Sequence, residues 1–315
     1  MQVREIDPPS APVELVDALY ALEVEAAGEM IPLEPARAHD VAVAFWRTPP
    51  SDQKRRHWIA EVDGQVVGMA GLYVYGPAFV LAEVFVTSAH RRRGVGTAML
   101  EAICAAAREA EITSFFADHA TEGGAAFAAH HEAVDDQREV RSLLRLREAE
   151  LPEPSLPDGH TLRSWIGSCP DELVDSYAVA RAAMSDAPAP GGAELDDATV
   201  DSVRRAEETA LRRGREIRVT VALDPTGSIV SFTDVRVTPG DTTVNTDDSG
   251  TVAHARGRGL ARAVKLESLR RLRQDRPEVE IVITMNAEQN AAMRHINTTI
   301  GFVPTATLTA TVLTL

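Results

Sequence analysis

Arg91-Arg92-Arg93-Gly94-Val95-Gly96 and Arg256-Gly257-Arg258-Gly259-Leu260-Ala261 are two renderings of one pattern, Arg-x-x-Gly-x-(Gly/Ala), set 165 residues apart. Eight residues ahead of each stands an acidic side chain, Glu83 in the first copy and Asp248 in the second. After Gly94, the positions Val95, Ala98, Met99, Ala102, Ile103 and Ala106 follow a helical period, as do Leu260, Ala263 and Val264 after Gly259. Each loop is therefore expected to lead from a strand into a helix. Glycines let an anion approach the main chain, and the first N–H groups of the helix point at it with the favourable end of the macrodipole. Arginines, with Thr97 just beyond, add charge and hydroxyl contacts. One such hexapeptide is a weak sign of a nucleotide site; two in matching context are a strong one. The reading is a pyrophosphate cradle built twice.

Length and composition agree with duplication. At 315 residues the chain has room for two domains, each able to bury an ordinary core. With 44% apolar and 25% charged residues it is neither disordered nor membrane-embedded, and no apolar run approaches the roughly 20 residues that span a bilayer. The start, Met1-Gln2-Val3-Arg4-Glu5, lacks an apolar signal region, so the chain reads as cytoplasmic, a monomer or homodimer. Cys104 and Cys169 have no ligand spacing around them, which indicates neither a disulfide framework nor a metal site. A net charge of −15 argues against nucleic acid as a partner and favours a cationic small substrate, unless the acidity serves solubility alone.

A seam falls at 151–159, where Pro152, Pro154, Pro157 and Gly159 suit an extended linker. It divides a first domain, 1–150, from a second, 160–315. The order of elements repeats across it: a strand, two helices, a hairpin turning at Asp63-Gly64 or Thr226-Gly227, a strand, the anion loop with its helix, then strand, helix, strand. Expected helices in the second half run from Pro170 to Met184 and from Thr199 to Arg213, and Ser185 to Gly192 reads as a mobile loop. The last strands expected of the two halves are Ser142 to Leu146 and Thr305 to Leu313. Each half is thus a mixed α+β unit, a central sheet flanked by helices.

These motifs, together with Asn286-x-x-x-Asn290 and Ile300-Gly301-Phe302, resemble the GNAT superfamily of acetyl-CoA-dependent N-acetyltransferases. The resemblance covers almost the whole chain as a tandem pair of the actinobacterial kind. It implies that Arg91, Arg92, Arg93, Gly94, Val95, Gly96 and Thr97, and Arg256, Gly257, Arg258, Gly259, Leu260 and Ala261, hold the coenzyme pyrophosphate. It implies that splayed strands at Val84, Phe85 and Val86, and at Thr251 and Val252, expose backbone groups to pantetheine, with Asn286 and Asn290 as a second contact segment. It further implies that acetyl-CoA is the co-substrate and that a small-molecule primary amine attacks the thioester directly, without a covalent enzyme intermediate.

Such chemistry asks for a carboxylate that takes a proton from the attacking ammonium, and Glu83 and Asp248 are the candidates. Their other readings are electrostatic hold on the substrate ammonium, or a carboxylate satisfied by local hydrogen bonds. The family's thiolate acid is a tyrosine four residues before the glycine of the Gly-Phe pair; Asn297 stands there in this chain. The tyrosines are Tyr20, Tyr73, Tyr75 and Tyr177, of which Tyr73 and Tyr75 read as cleft or cross-strand packing residues before Glu83. Because only the second half carries both coenzyme-contact segments, it is expected to be the active one. A protein or peptide acetyltransferase and a catalytically silent acyl-CoA-binding module are the alternative readings.

Overall fold

Strand Val80–Val86 (β4) alternates so that Val80, Ala82 and Val86 enter a hydrophobic core while Glu83 points to the other face of its sheet. That alternation fixes where the candidate base lies, and the rest of the fold builds around it. The structure is a computed structural model and describes residues 1–48, 53–75, 79–183 and 198–315. The loop expected at 185–192, and the expected helix end Met184, lie outside the described residues. Two compact units form: Met1–Glu139 with Thr305–Leu315, and Val140–Pro304.

In the first unit the sheet runs β1 (Gln2–Ile6), β2 (Lys54–Val62), β3 (Gln65–Val74), β4, β5 (Ser114–His119) and β12 (Val303–Thr314, from Thr305 onward). The pairs from β1 to β4 are antiparallel, and Asp63-Gly64, both at positive φ, makes the tight turn between β2 and β3. Helix α3 (Val95–Glu109) lays Val95, Met99, Ile103 and Ala107 against one sheet face, where Trp58, Val67, Leu72 and Phe115 complete the core. On the opposite face α1 (Val13–Met30) and α2 (His39–Arg47) bury Val16, Leu19 and Trp46 over Ile6 and Ile59. Helix α4 (Glu122–His130) starts at Thr121, whose side chain accepts the Gly124 N–H.

The second unit's sheet runs β6 (Val134–Arg145, from Val140 onward), β11 (Ile281–Ala287), β10 (Thr243–Thr251), β9 (Ile229–Val237), β8 (Glu216–Leu223) and β7 (Thr161–Ile166). Helix α7 (Leu260–Asp275) packs Leu266, Leu269 and Leu272 on one face with Val235, Val237 and Val282. Helices α5 (Asp171–Arg181) and α6 (Val200–Arg212) cover the other with Leu173, Tyr177, Val203 and Phe232. Helix α8 (Ala291–Ile300) ends on Gly301 in the left-handed conformation.

The segment 151–159 lies inside this second unit. Leu151 is buried in its core, and Arg270 and Arg273 donate to the carbonyls of Leu151 and Ala149. Likewise Thr305–Leu315 belongs to the first unit, where β12 pairs with β5 from Thr309 to Thr314. Among the described residues no helix is long and apolar enough to cross a membrane.

Candidate active site

The two Arg-x-x-Gly-x-(Gly/Ala) stretches fold alike. Each follows a short 3₁₀ turn, Ser88–His90 or Ala253–Ala255, off the end of β4 or β10. The first arginine of each turns back on its own strand: Arg91 Nε donates to Val86 O at 2.8 Å and Arg256 Nε to Thr251 O at 3.0 Å. The second position is left-handed in both, φ 59° at Arg92 and 75° at Gly257. Gly94 and Gly259 both adopt φ 79°. Neither α3 nor α7 has a side-chain cap, and the first helical bonds are Ala98 N–H to Gly94 O and Ala263 N–H to Gly259 O, each 3.0 Å. The N–H groups preceding them are what a pyrophosphate would use. A Cβ on Gly96 would stand 3.0 Å from the Phe127 ring, so a larger residue there requires the ring to shift; the second copy carries Ala261 at this place.

The arginines divide their work in a way the sequence does not show. Arg91 donates to both oxygens of Glu29, at 2.9 and 2.7 Å, and lies over the Phe85 ring. It is a clasp that holds the loop against α1 and β4. Arg92 and Arg93 are exposed beside the cradle, as is Arg258 in the second unit. Thr97 Oγ1 sits 3.2 Å from His131 Nε2 at the end of α4.

Both units splay where the resemblance implies. Among the described residues β4 meets the parallel β5 only at Leu81 and Phe116, and β10 meets β11 only from Thr243 to Asn245. The strand ends holding Val84, Phe85 and Val86, and Thr251, therefore border an opening beside each cradle, with Val252 just past the second. A chain laid from the cradle into the splay would find main-chain hydrogen-bonding groups there.

In the first unit, Glu83 keeps exposed surface on the face of β4 turned away from the core, with protein atoms around it. Tyr73 Oη donates to Glu83 Oε2 at 3.0 Å. Gly71 lies opposite Glu83 in the β3–β4 register, and a Cβ there would fall 2.6 Å from the Tyr73 ring and hydroxyl. Tyr73 is buried, packed edge-on against His57, which packs in turn on Trp46. Burial raises the pKa of Glu83 above the usual carboxylate range; the Tyr73 hydrogen bond opposes this, and the charges of Glu23 and Asp118 reinforce it. Asp118 is itself raised by burial and by Glu139. Arg37, paired with Glu23 at 3.2 Å, also opposes the rise, so Glu83 stands among charges of both signs while burial biases it toward holding a proton.

The second unit presents a different arrangement. A bulge between Thr246 and Ser249 sets Asp247 and Asp248 against Asp234, and the Asp248 N–H donates to Asp234 Oδ1 at 2.6 Å. Arg181, from the end of α5, donates to Asp248 Oδ2 at 2.6 Å and approaches Asp234 Oδ2 at 3.5 Å, packed over Tyr177 and Phe232. Asp248 thus already has a cation on it. Burial first, and the neighbouring Asp248 charge second, push Asp234 up to about 7. Asn290 caps α8 through the Met293 N–H, and Asn286 Oδ1 accepts from Asn297 Nδ2 at 2.6 Å, so both asparagines are engaged locally. Lys265, Asp234 and Arg181 carry no motif and were missed by the sequence reading. Lys265 alone had a signal, since it stands 165 residues after the core residue Leu100.

Comparison with known proteins agrees with this geometry. The model of the acetyltransferase (GNAT) family matches residues 16–132. A mycothiol acetyltransferase of Nocardia farcinica is 30% identical over 79% of this chain and 80% of its own length. One from Rhodococcus erythropolis is 28% identical over 84% and 89%. Among solved structures, a tandem GNAT protein from the clavulanic acid biosynthesis pathway superposes with TM-score 0.78 at 24% identity, covering 99% of this chain and 98% of that one. A GCN5-related N-acetyltransferase from Sphaerobacter thermophilus gives 0.70 at 16%, covering 99% and 95%.

Proposed function

We propose a mechanism from the premise that this chain belongs to the GNAT family of acetyltransferases. It is an N-acetyltransferase acting on the amine of a small molecule, with tandem GNAT-like units. Acetyl-CoA supplies the activated acetyl thioester. We place the transfer in the first unit, and the observation that carries this is the Glu83–Tyr73 pair on a strand that meets its parallel neighbour only at Leu81 and Phe116 among the described residues.

In this reading the N–H groups at the start of α3, with Arg92 and Arg93, hold the pyrophosphate, and the β4 edge from Val84 to Val86 aligns pantetheine. Glu83 accepts the proton of the acceptor ammonium, leaving a neutral amine to attack the thioester carbonyl. Tyr73 fixes the carboxylate's orientation and limits the rise in its pKa. Asp118 adds a second carboxylate near Glu83, whereas Glu23 is already paired with Arg37. In the second unit Asp248 is held by Arg181, which disfavours it as a base there. This reading differs from the sequence expectation of a catalytic second half, and the Glu83 and Asp248 variants decide between the two.

The acceptor of the mycothiol acetyltransferases is the first amine to assay, followed by a panel of small amines and peptides. Thiol release with a small amine, lost in Glu83→Gln and retained in Asp248→Asn, supports this reading. Release with peptides alone would indicate a protein-acetylating enzyme, and coenzyme binding without any release a silent module.

A further inference from the structure

On the sheet face that carries Glu83, two rows of residues cross three strands of the first unit. Arg55, Tyr73 and Leu81 stand opposite one another in β2, β3 and β4, and in the next row stand His57, Gly71 and Glu83. Gly71 leaves a gap in its row, and the Tyr73 ring leans over from the other row to fill it. The ring then lies between His57, edge-on with ring centres 5.4 Å apart, and Glu83, whose Oε2 its hydroxyl reaches at 3.0 Å. On the β2 side stands the Arg55 guanidinium, its Cζ 5.7 Å from the centre of the Tyr73 ring and 4.4 Å from that of Phe45 on α2. A second arginine, Arg37, lies over the same Phe45 ring at 5.0 Å, and it is paired with Glu23.

Gln53 fixes the direction of that guanidinium: Arg55 Nε donates to Gln53 Oε1 at 2.6 Å. Gln53 is only 7% exposed, and its Nε2 has no hydrogen-bond partner among the described residues. A buried amide is thus left half-satisfied while its other end orients a cation. Apolar side chains would serve packing better at such a place. A cation fixed over the ring of a buried phenol polarises it and strengthens its O–H as a donor. The charges around the ring agree in sign: burial raises the Tyr73 hydroxyl well above its ordinary range, the Glu83 charge and hydrogen bond add to this, and Arg55 opposes them. His57 cannot take the place of Arg55, because burial first and the Arg55 charge second lower it to about 4, against Asp7 and Glu5, and it is neutral at neutral pH. Glu23, Arg37 and Asp118 act on Glu83 itself, and Tyr75 is the remaining titratable group that acts on Tyr73.

We propose that Arg55 is a positioning residue of the transfer reaction: acting through Tyr73, its guanidinium keeps the phenol donating to the Glu83 carboxylate and so keeps that carboxylate ionised and oriented for the acceptor amine. This rests on the reading of Glu83 as the base. Arg55 works at one remove, with no bond made or broken at it. Its charge matters more than its bulk, so lysine should serve in its place and a neutral side chain of similar length should not.

The test reads the Tyr73–Glu83 bond directly. The chain has four tyrosines, so isotope labelling of their Cζ atoms gives four NMR signals, and that of Tyr73 is the one missing from Tyr73→Phe. Its shift should follow the ionisation of Glu83 through the acid range and lose that step in Glu83→Gln. In Arg55→Met, and in Arg55→Gln as a second neutral variant, the midpoint should rise by about half a unit, a roughly threefold change in the ionisation equilibrium. The acid limb of kcat/KM for thiol release from acetyl-CoA, measured with the fastest amine of the panel, should rise with it. Arg55→Lys should stay near the parent, and adding Arg55→Met to Tyr73→Phe should move the limb no further than Tyr73→Phe alone. A midpoint unmoved in both neutral variants, a lysine variant displaced as far as they are, or an Arg55 effect that persists without Tyr73 would overturn the proposal while leaving Glu83 as the base. Thiol release that survives Glu83→Gln, or that no amine elicits, would remove the base reading and the proposal with it.

Discussion

Gly71 is bare so that Tyr73 can reach Glu83: a Cβ at residue 71 would stand 2.6 Å from the Tyr73 ring and hydroxyl, while that hydroxyl donates to the Glu83 carboxylate at 3.0 Å. Tyr73 is buried and packed edge-on against His57, so it has little freedom to retreat. Gly71→Ala should therefore break the Tyr73–Glu83 bond from a distance, as Tyr73→Phe does directly. Because that bond lowers the Glu83 pKa, its loss raises it. A base must be deprotonated to act, so the acid limb of kcat/KM against pH moves to higher pH in both variants. At neutral pH the rate falls by about tenfold. An unchanged acid limb in Tyr73→Phe would show that Glu83 is not the titrating base.

The two candidate carboxylates separate by mutation. Glu83→Gln keeps the shape and removes the base, and kcat should fall by about 100-fold or more, with coenzyme affinity unchanged. Asp248→Asn leaves transfer near the parent rate but strips a charged partner from Arg181, costing about 2 kcal/mol of stability, as seen by urea unfolding. The reverse pattern, with transfer lost in Asp248→Asn alone, would move the chemistry to the second unit.

Arginine replacement is a poor probe of the cradles, because Arg91 clasps Val86 and Glu29. A carboxylate at the helix start is a cleaner one. Asp tolerates left-handed φ better than most residues, so Gly94→Asp and Gly259→Asp should fold while repelling a pyrophosphate. Each should weaken coenzyme binding at its own unit by about 100-fold or more in two-site calorimetry, and only Gly94→Asp should abolish transfer. Loss of both sites through a single substitution would refute independent cradles.

Much of this was legible in the chain because it is local. Gly94 and Gly259 each stand before a helical period and so mark a loop that opens a helix, and Asp63-Gly64 announces its turn. The parts that were not legible depend on partners far away in sequence. Leu151 looks like one apolar residue in a proline-rich linker, yet its side chain fills the second unit's core. The strand Thr305–Leu313 reads as the end of the second half, whereas its register partners are His119 to Ser114 of the first unit. Nothing in the spacing of Asp248 warns that Arg181, 67 residues away, will sit on it. Tyr73 read as a cleft or a cross-strand packing residue; that it bonds Glu83, and that Gly71 makes its reach possible, required the register of β3 and β4.

Lys265 should make the second unit less stable than it would be with the leucine its counterpart carries. The sign follows from protons. Burial lowers the lysine from 10.5 to about 8, so between those values the unfolded chain holds a proton that the folded chain has lost. Folded stability therefore rises with pH across that window, and below about 8 the full penalty of burying the ammonium applies. At 1.36 kcal/mol per pKa unit the penalty is about 3 kcal/mol. Asp234 behaves oppositely: raised from 3.8 to about 7, it costs stability as pH climbs through that interval and adds no further change above it. In the absence of coenzyme, Lys265→Leu should thus be more stable than the parent at pH 7, by about 2–3 kcal/mol in chemical denaturation. The advantage should shrink as pH rises from 8 to 10.5. A Lys265→Leu protein less stable than the parent at pH 7 without ligand would mean that the ammonium already has a strong partner in the folded chain.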